Sequence, residues 1–553
     1  MILVSGPCRF DLRISGSNKL EMIAIQLINF FRAKFSSAAK CVLPLALALS
    51  ACADPAEKAA ELGALAQSQL QNGDIASAQQ TIAEAVSLRD DVVELQLLRG
   101  RIELAAESAD TAYGAYYNAL ALDPVNSEAL QAVSQLGLST GNLKQSLDAT
   151  DRILTMTPNQ PNALLVRGLH ALVKRRYNDA IEYAERLAAT RQLDENARIL
   201  KARALFLKGD SQGALSQVAL QGEPEATDGG APVSETIALT RLEIFREIRD
   251  APRMEAEFDR LTVMRPGDLG LRLDQANFYY RRGNPGRAAE IMTEVLSNEE
   301  PDPGVANEAI RIFGEYGSAD LSAAHWQRIA QNGDPRITSQ VARYLVTTEN
   351  YEAAAKLIGV LGGAERKALG ARLQAAQGQT RDAIRSANEL LSSDATNCDA
   401  LVAKSVASLA ERNFERSVRN GQQAMTECPN DIGAAIVTAQ AYTGWEREAG
   451  ARRVLQQAFA NNPQSFVVAQ ANAEWLVGQD QNRSAVAVMR RFTRDSPASL
   501  RGWTYYGELC RQYQPSCATE ARAGYANAED RYGLDLPTGQ LQPNGLFGRF
   551  VQR

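Results

Sequence analysis

Residues 66–78, AQSQLQNGDIASA, hold a small residue at Ala66, a Gly-Asp turn at Gly73 and a second small residue at Ala78. Amphipathic helical stretches flank the turn, so the segment reads as the bend of a helical hairpin. The frame recurs at Gly141 with Ser146, Gly209 with Ala214, Gly283 with Ala288 and Gly378 with Ala383. With weaker copies included, the turn falls at positions 73, 107, 141, 175, 209, 249, 283, 317, 349, 378, 412, 446, 480 and 514. Ten of the thirteen intervals are 34 residues; the others are 40, 32 and 29. Two helices of about four turns with short connections fill such an interval, and the period predicts a solenoid rather than separate globular domains.

Seven residues before each turn the side chain is small in twelve of fourteen copies, Leu242 and Ile310 being the exceptions. Five residues after it the small class returns, with Met254 as the large exception. Small residues at both places let two antiparallel helices approach to the short end of the roughly 8–10 Å interaxial range. Pro124, Pro158, Pro266, Pro429, Pro463 and Pro497 each stand seventeen residues after their own turn, where a second helix should stop. Proline lacks an N–H and restricts the residue before it, so it ends one helix and can open the next.

Trp503-Thr-Tyr-Tyr-Gly507 follows the pattern W-x-x-L-G with Tyr506 in the Leu place, and Tyr113, Tyr116, Ala119 and Pro124 follow a second-helix pattern. On these residues the chain resembles the tetratricopeptide repeat family, over about residues 57–530. The resemblance implies an all-α fold, a right-handed superhelical α-solenoid of about fourteen helix hairpins. Departures from the period mark expected boundaries. The polar, Gly/Pro-rich loop at 223–234 separates an N-terminal array (52–222) from a middle one (235–362), and a shortened hairpin around Gly359–Gly363 is a second expected hinge before a C-terminal array (363–534). The tail, 535–553, has no helical period.

The chain begins with an address. Residues 41–51, CVLPLALALSA, are an apolar run preceded by Arg32, Lys34 and Lys40 and ended by small residues, the order of a secretory signal peptide. Eleven residues are too few to span a bilayer, which takes about 20. Leu49-Ser50-Ala51-Cys52 resembles a bacterial lipobox, which implies a lipid on Cys52 after cleavage. Met22 opens a leader of ordinary length, so the start is either Met1 or Met22. Loss of residues 1–51 removes six basic and two acidic residues and lowers the formal charge from −6 to −10. A chain so charged repels phosphate backbones, and nucleic-acid binding is disfavoured.

Cys8 and Cys41 lie in the leader, leaving Cys398, Cys428, Cys510 and Cys517 as an even set in an oxidising compartment. Cys398 opens the first helix of its repeat and Cys428 closes the second, so a bridge there joins two ends that meet; the alternative is a pair of buried thiols. Cys510 and Cys517 face each other across the last turn and form the second candidate bridge.

Candidate chemistry is sparse. The two His, His170 and His325, are far apart and belong to no metal-ligand spacing, and each reads as a helix residue bonded locally or facing solvent. Gly229-Gly230 and Gly362-Gly363 are not followed by Lys-Ser/Thr, and no G-x-S-x-G occurs. Neither a cofactor, nor a metal, nor a catalytic residue is expected. The family resemblance places ligands on the concave face lined by first helices, where Arg101, Arg203, Asn277, Arg343 and Arg372 follow the small position and Tyr280 lies one turn on. Arg343 and Arg372 could read an acidic peptide or a sugar; a solvated arginine is the other reading. The Lys/Asn/Arg clamp for a peptide carboxylate found in chaperone-binding members is not evident.

The expectation is a lipid-anchored periplasmic scaffold, at the outer membrane by preference, that holds an envelope protein or peptide in secretion, outer-membrane assembly or polysaccharide export. A cytoplasmic adaptor and a repeat-bearing carbohydrate-active enzyme are the alternatives. The repeats fill nearly all of the chain after residue 51, which leaves no room for a catalytic domain of about 100 residues.

Overall fold

The computed structural model describes residues 54–226, 230–298 and 303–529. The leader, Cys52 and the 535–553 tail lie outside the described residues. Among the described residues, twenty-eight α-helices follow one another, numbered α1 (Pro55–Gln71) to α28 (Ala518–Glu529) in chain order. They form the fourteen hairpins of an all-α solenoid, odd helices first and even helices second. The one β contact among the described residues is an isolated bridge between Leu220 and Ala231, in the connection that follows Val218.

Most hairpins turn on one left-handed residue. Thirteen of the fourteen expected turn positions have positive φ, from Gly73 at 78° to Asp480 at 55°. A left-handed residue just past a helix aims the next two N–H groups back at the unpaired carbonyls of the last turn. Gly378 N–H thus bonds to Ala375 O at 3.0 Å and Gln379 N–H to Gln374 O at 2.8 Å. Glu107, Arg175, Arg249, Glu349, Arg412, Glu446 and Asp480 adopt this backbone without being glycine, at a cost of roughly 1–2 kcal/mol each. The fourteenth turn is different: Gln514 stays extended at φ −150°, held there by the following Pro515, and a 3-10 turn intervenes.

The paired small residues are sealed between the two helices. Ala66 with Ala78, Ala202 with Ala214, Ala276 with Ala288 and Ala342 with Ala354 are all fully buried. Where both are serine the contact becomes polar: Ser405 Oγ donates to Ser417 O and Ser417 Oγ to Ser405 O, both at 2.8 Å. The expected register slips in the eighth hairpin. Ser322 is an exposed N-cap of the second helix, Ala323–Asn332, and Trp326 takes the buried place.

The chain divides after Ser108 into two compact units. In the first, α1, α2 (Ile75–Leu88) and α3 (Val93–Ala105) share a core that includes Ala59, Ala66, Ala78, Ile82, Leu98 and Ile102. In the second, one core runs from Leu138 to Leu373 and another from Val418 to Ala521. Between them lies an almost purely alanine cluster from Ala368 to Ala407.

The first of these cores continues across the 223–234 loop, where the sequence suggests a boundary. The reason is Arg241, nearly buried in the helix after the loop. Its guanidinium donates to both Glu223 oxygens at 2.7 Å, to Glu257 at 2.8 Å and to Val218 O at 3.0 Å. A fully partnered buried cation ties the start of the loop to two helices, so polar composition here marks a stapled loop rather than a break.

The turn geometry predicts opposite effects for opposite exchanges. Nothing lies within 4 Å of a Cβ built on Gly378, so Gly378→Ala should cost about 1 kcal/mol through backbone strain alone. Arg412→Gly should gain up to about 1 kcal/mol at the neighbouring turn. Hydrogen exchange of the Gln379 and Asn413 amides reads both; equal protection in both variants and the parent would refute the account of the turns.

Candidate partner-binding face

First helices present their inner positions in series, and the structure sorts the six expected contact residues into four groups. Arg101 belongs to the first unit. It is exposed beside a cavity of about 360 Å³ lined by Ala56, Ala59, Gly63, Leu95 and Leu98 from α1 and α3. Small residues on α1 open this groove, and leucines from α3 make its floor apolar.

The other five lie in the second unit. Arg203 is paired with Glu243 of a neighbouring first helix and its side chain is mostly covered. Asn277 is 1% exposed and accepts a hydrogen bond from Tyr316 Oη at 2.7 Å. Tyr280 stacks on that same ring, centroids 4.6 Å apart and planes 10° from parallel. Burial pushes both tyrosine hydroxyls well above their ordinary range, so both stay neutral. Asn277 and Tyr280 are therefore brought together through Tyr316, which the sequence did not single out.

Arg343 and Arg372 are joined by Asp399. From α17 (Pro335–Thr347), Arg343 Nε reaches the Asp399 carboxylate at 2.9 and 3.1 Å. From α19 (Gly363–Ala376), Arg372 donates to Asp399 at 3.0 Å and to both oxygens of Asp431 at 2.6 and 2.9 Å. Asp399 is in the first turn of α21 (Cys398–Ala410), and Asp431 caps α23 (Ile432–Gly444), accepting from Ala434 N–H at 2.8 Å. Each carboxylate sits at the positive end of a helix dipole while it neutralises an arginine from earlier repeats.

Burial alone would lower the Arg372 pKa, yet Asp431 and Asp399 together raise it. Burial likewise works against the Asp431 charge, and Arg372 outweighs it and holds that carboxyl below the usual carboxylate range. Arg372 is only 3% exposed, so it neither reads an acidic ligand from this position nor faces solvent as a free arginine. Its ion pairs join repeats of the array. The missing signal was positional: an Asp at the start of a first helix, two repeats on from each inner Arg.

His170 is also internal, 2% exposed, with Nε2 at 3.2 Å from Ser146 Oγ on the preceding second helix. Burial, then the nearby Arg167, Lys174 and Arg176, lower its pKa to about 4. His325 forms a capping box with Ser322. Cys398 and Cys428 stand with Cα atoms 6.2 Å apart and Cys510 and Cys517 at 5.5 Å, each pair with its sulfurs joined. Among the described residues, no group of three or more His, Cys, Asp or Glu could hold a metal ion, and no helix is long and apolar enough to cross a membrane.

Two predictions follow from these burials. Arg372→Met leaves Asp399 and Asp431 buried without their shared cation and should cost about 3–5 kcal/mol, whereas Arg343→Met, at a more exposed position, should cost about 1 kcal/mol or less. Urea unfolding followed by circular dichroism compares them; equal midpoints would contradict the assignment of the load to Arg372. For His170, a folded pKa of about 4 below an unfolded value near 6.5 means that the unfolded chain binds the proton better. Stability should be full above pH 6.5 and fall by about 2–3 kcal/mol as pH drops towards 4. His170→Gln should flatten that part of the pH profile, and an unchanged slope would rule the histidine out as its source.

Comparison with known proteins agrees with the hairpin geometry. The tetratricopeptide repeat family model matches residues 64–127 and 165–230. Cellulose synthase operon protein C of Komagataeibacter xylinus is 22% identical over 397 residues, 70% of this chain and 29% of that protein. Its namesake from Xanthomonas axonopodis pv. citri is 24% identical over 396 residues, 64% of this chain and 25% of that protein. The chain thus spans less than a third of the length of these curated relatives. Among solved structures, PilF of Pseudomonas aeruginosa is 17% identical, with 40% of this chain and 98% of that chain covered, at a TM-score of 0.29. PilW, a type IV pilus biogenesis factor, is 19% identical, with 38% and 94% covered, at 0.30. The two matched stretches are similar to tetratricopeptide repeats, and the chain is similar to cellulose synthase operon protein C over the part that it covers.

Proposed function

We propose that the chain is a lipid-anchored periplasmic scaffold that holds another envelope protein, at the outer membrane and in the export of a surface polysaccharide. The observation that carries this reading is a stack of fourteen hairpins preceded by the leader and Leu49-Ser50-Ala51-Cys52. Similarity to cellulose synthase operon protein C favours polysaccharide export over the other envelope processes. The joined pairs Cys398–Cys428 and Cys510–Cys517 suit an oxidising compartment.

Contact with the partner is assigned first to the groove beside Arg101. Its floor of Leu95 and Leu98 offers apolar surface to bury. A solenoid leaves such faces free because each repeat needs little beyond its neighbours.

Three measurements on one preparation test the reading. Intact-mass analysis of membrane fractions should find a diacylglyceryl group on Cys52, and Cys52→Ser should move the protein to the soluble fraction. Thiol titration without reductant should find none of the four downstream cysteines free. A photocrosslinker in place of Arg101 should capture one defined envelope protein in cells. Unmodified Cys52 together with four free thiols would replace this reading with the cytoplasmic adaptor.

A further inference from the structure

We propose that the second unit is a latched hinge: two arms joined through the alanine cluster at 368–407 and held together by polar bonds centred on one carboxylate, Glu315. In the scaffold reading, on which the functional half of this inference rests, the closed form covers an inner surface and the open form offers it to the partner.

The latch is built at the end of α15 (Pro303–Tyr316), where Glu315 is 7% exposed. Its carboxylate accepts from Ser499 Oγ and Leu500 N–H, both at 2.6 Å, and from Arg501 N–H at 3.3 Å. These donors are the cap and first residues of α27 (Leu500–Tyr513). Thus a residue 184 positions away acts as the anionic ligand of that helix N-terminus. Two further bonds run the same way: Arg501 Nη1 donates to Gly314 O at 2.8 Å, and Arg281 donates to Ala498 O.

Three features make this contact a latch rather than part of a continuous core. The residues it joins belong to separately packed arms, one core ending at Leu373 and the other beginning at Val418. The bonds across the gap are polar, three of them converging on the Glu315 carboxylate and two more coming from Arg501 and Arg281; the apolar contribution to the first core from the far arm comes from the partly buried Ile432 and Val467. And the intervening cluster is alanine at eight of nine positions, with Leu390 the exception. Methyl groups bury little area each, while Leu369 and Leu373 of the same stretch pack into the first core and Leu401 and Val402 into a small cluster with Ala424 and Ala434. The 29-residue interval of the sequence falls at its N-terminal edge.

Opening the latch would uncover Tyr280 and Tyr316, which stack on each other, and Arg281, which lies 5.9 Å from the Tyr316 ring. An aromatic pair beside a guanidinium is a surface for an extended peptide, since rings supply rigid area and the cation holds carbonyls. Arg343 and Arg372 remain within the hinge, paired with Asp399 and Asp431.

The test uses the full chain and needs no partner. Hydrogen exchange should show the Leu500 and Arg501 amides of Glu315→Ala opening roughly 10- to 100-fold faster than in the parent, as expected for loss of charge-assisted bonds. Small-angle scattering should show a larger radius of gyration for the same variant. Glu508→Ala, an exposed charge on the same helix, should change neither. If Glu315→Ala loses helix content, Glu315→Gln and Ser499→Ala take its place, with the same expectations at smaller size. Amides as slow as the parent's, or faster amides with a superposable scattering profile, would overturn the latch. Either failure leaves the envelope reading untouched, because neither readout involves membrane or partner.

Discussion

Everything in this fold depends on how closely two antiparallel helices approach at one point. At most turns, side chains no larger than Ala or Ser, seven residues before the turn and five after it, meet there with almost no exposure, as Ala66 does with Ala78 and Ala342 with Ala354. Close approach brings backbone to backbone, so where the pair is Ser405 and Ser417 the hydroxyls can reach the opposite carbonyls. A left-handed residue at the turn then aims the second helix back along the first. Together they fix a hairpin whose remaining apolar face can be buried only against the next hairpin, which is why the period propagates along the chain.

What the array does with its charges follows from that geometry. Inner positions of successive first helices are brought near one another, and an arginine there meets the N-terminal acids of helices in later repeats. Arg372 with Asp399 and Asp431 uses this arrangement, while Arg241 reaches Glu223 of the preceding loop and Glu257 of its own hairpin, and Glu315 meets the start of α27. Buried ions of this kind contribute little net stability compared with apolar residues of the same shape, but removing one partner is costly. They therefore fix which repeats face each other more than they hold the repeats folded. In the second unit the inner face is largely engaged by the chain's own side chains, while the groove beside Arg101 in the first unit is open.

The fold was legible because the rules that make a hairpin are local. The spacing of Ala66, Gly73 and Ala78 predicts turns at thirteen positions that adopt positive φ, seven of them occupied by Glu, Arg or Asp. Period, not residue type, located those seven. The site was much less legible because its partners are distant in sequence. Position marks Arg343 and Arg372 as inward-facing, but nothing near them in sequence announces Asp399 and Asp431, or a carboxylate meeting a helix 184 residues on. Composition misled at 223–234, where polar residues suggest a break and Arg241 makes a tie. It also misled at Ser322, where the short eighth hairpin turns a small residue into a cap.

The central claim is that small-residue contact at the hairpin sets the stability of each repeat. Ala383→Leu places three extra carbons where α19 and the following helix touch, and Asn388→Leu adds a leucine at an exposed position one turn further along that same following helix. Thermal unfolding of the two variants, followed by circular dichroism, is the direct comparison. Overpacking at Ala383 should cost about 1–3 kcal/mol or more, while Asn388→Leu should stay within about 0.5 kcal/mol of the parent. Equal melting of the two variants would contradict the claim.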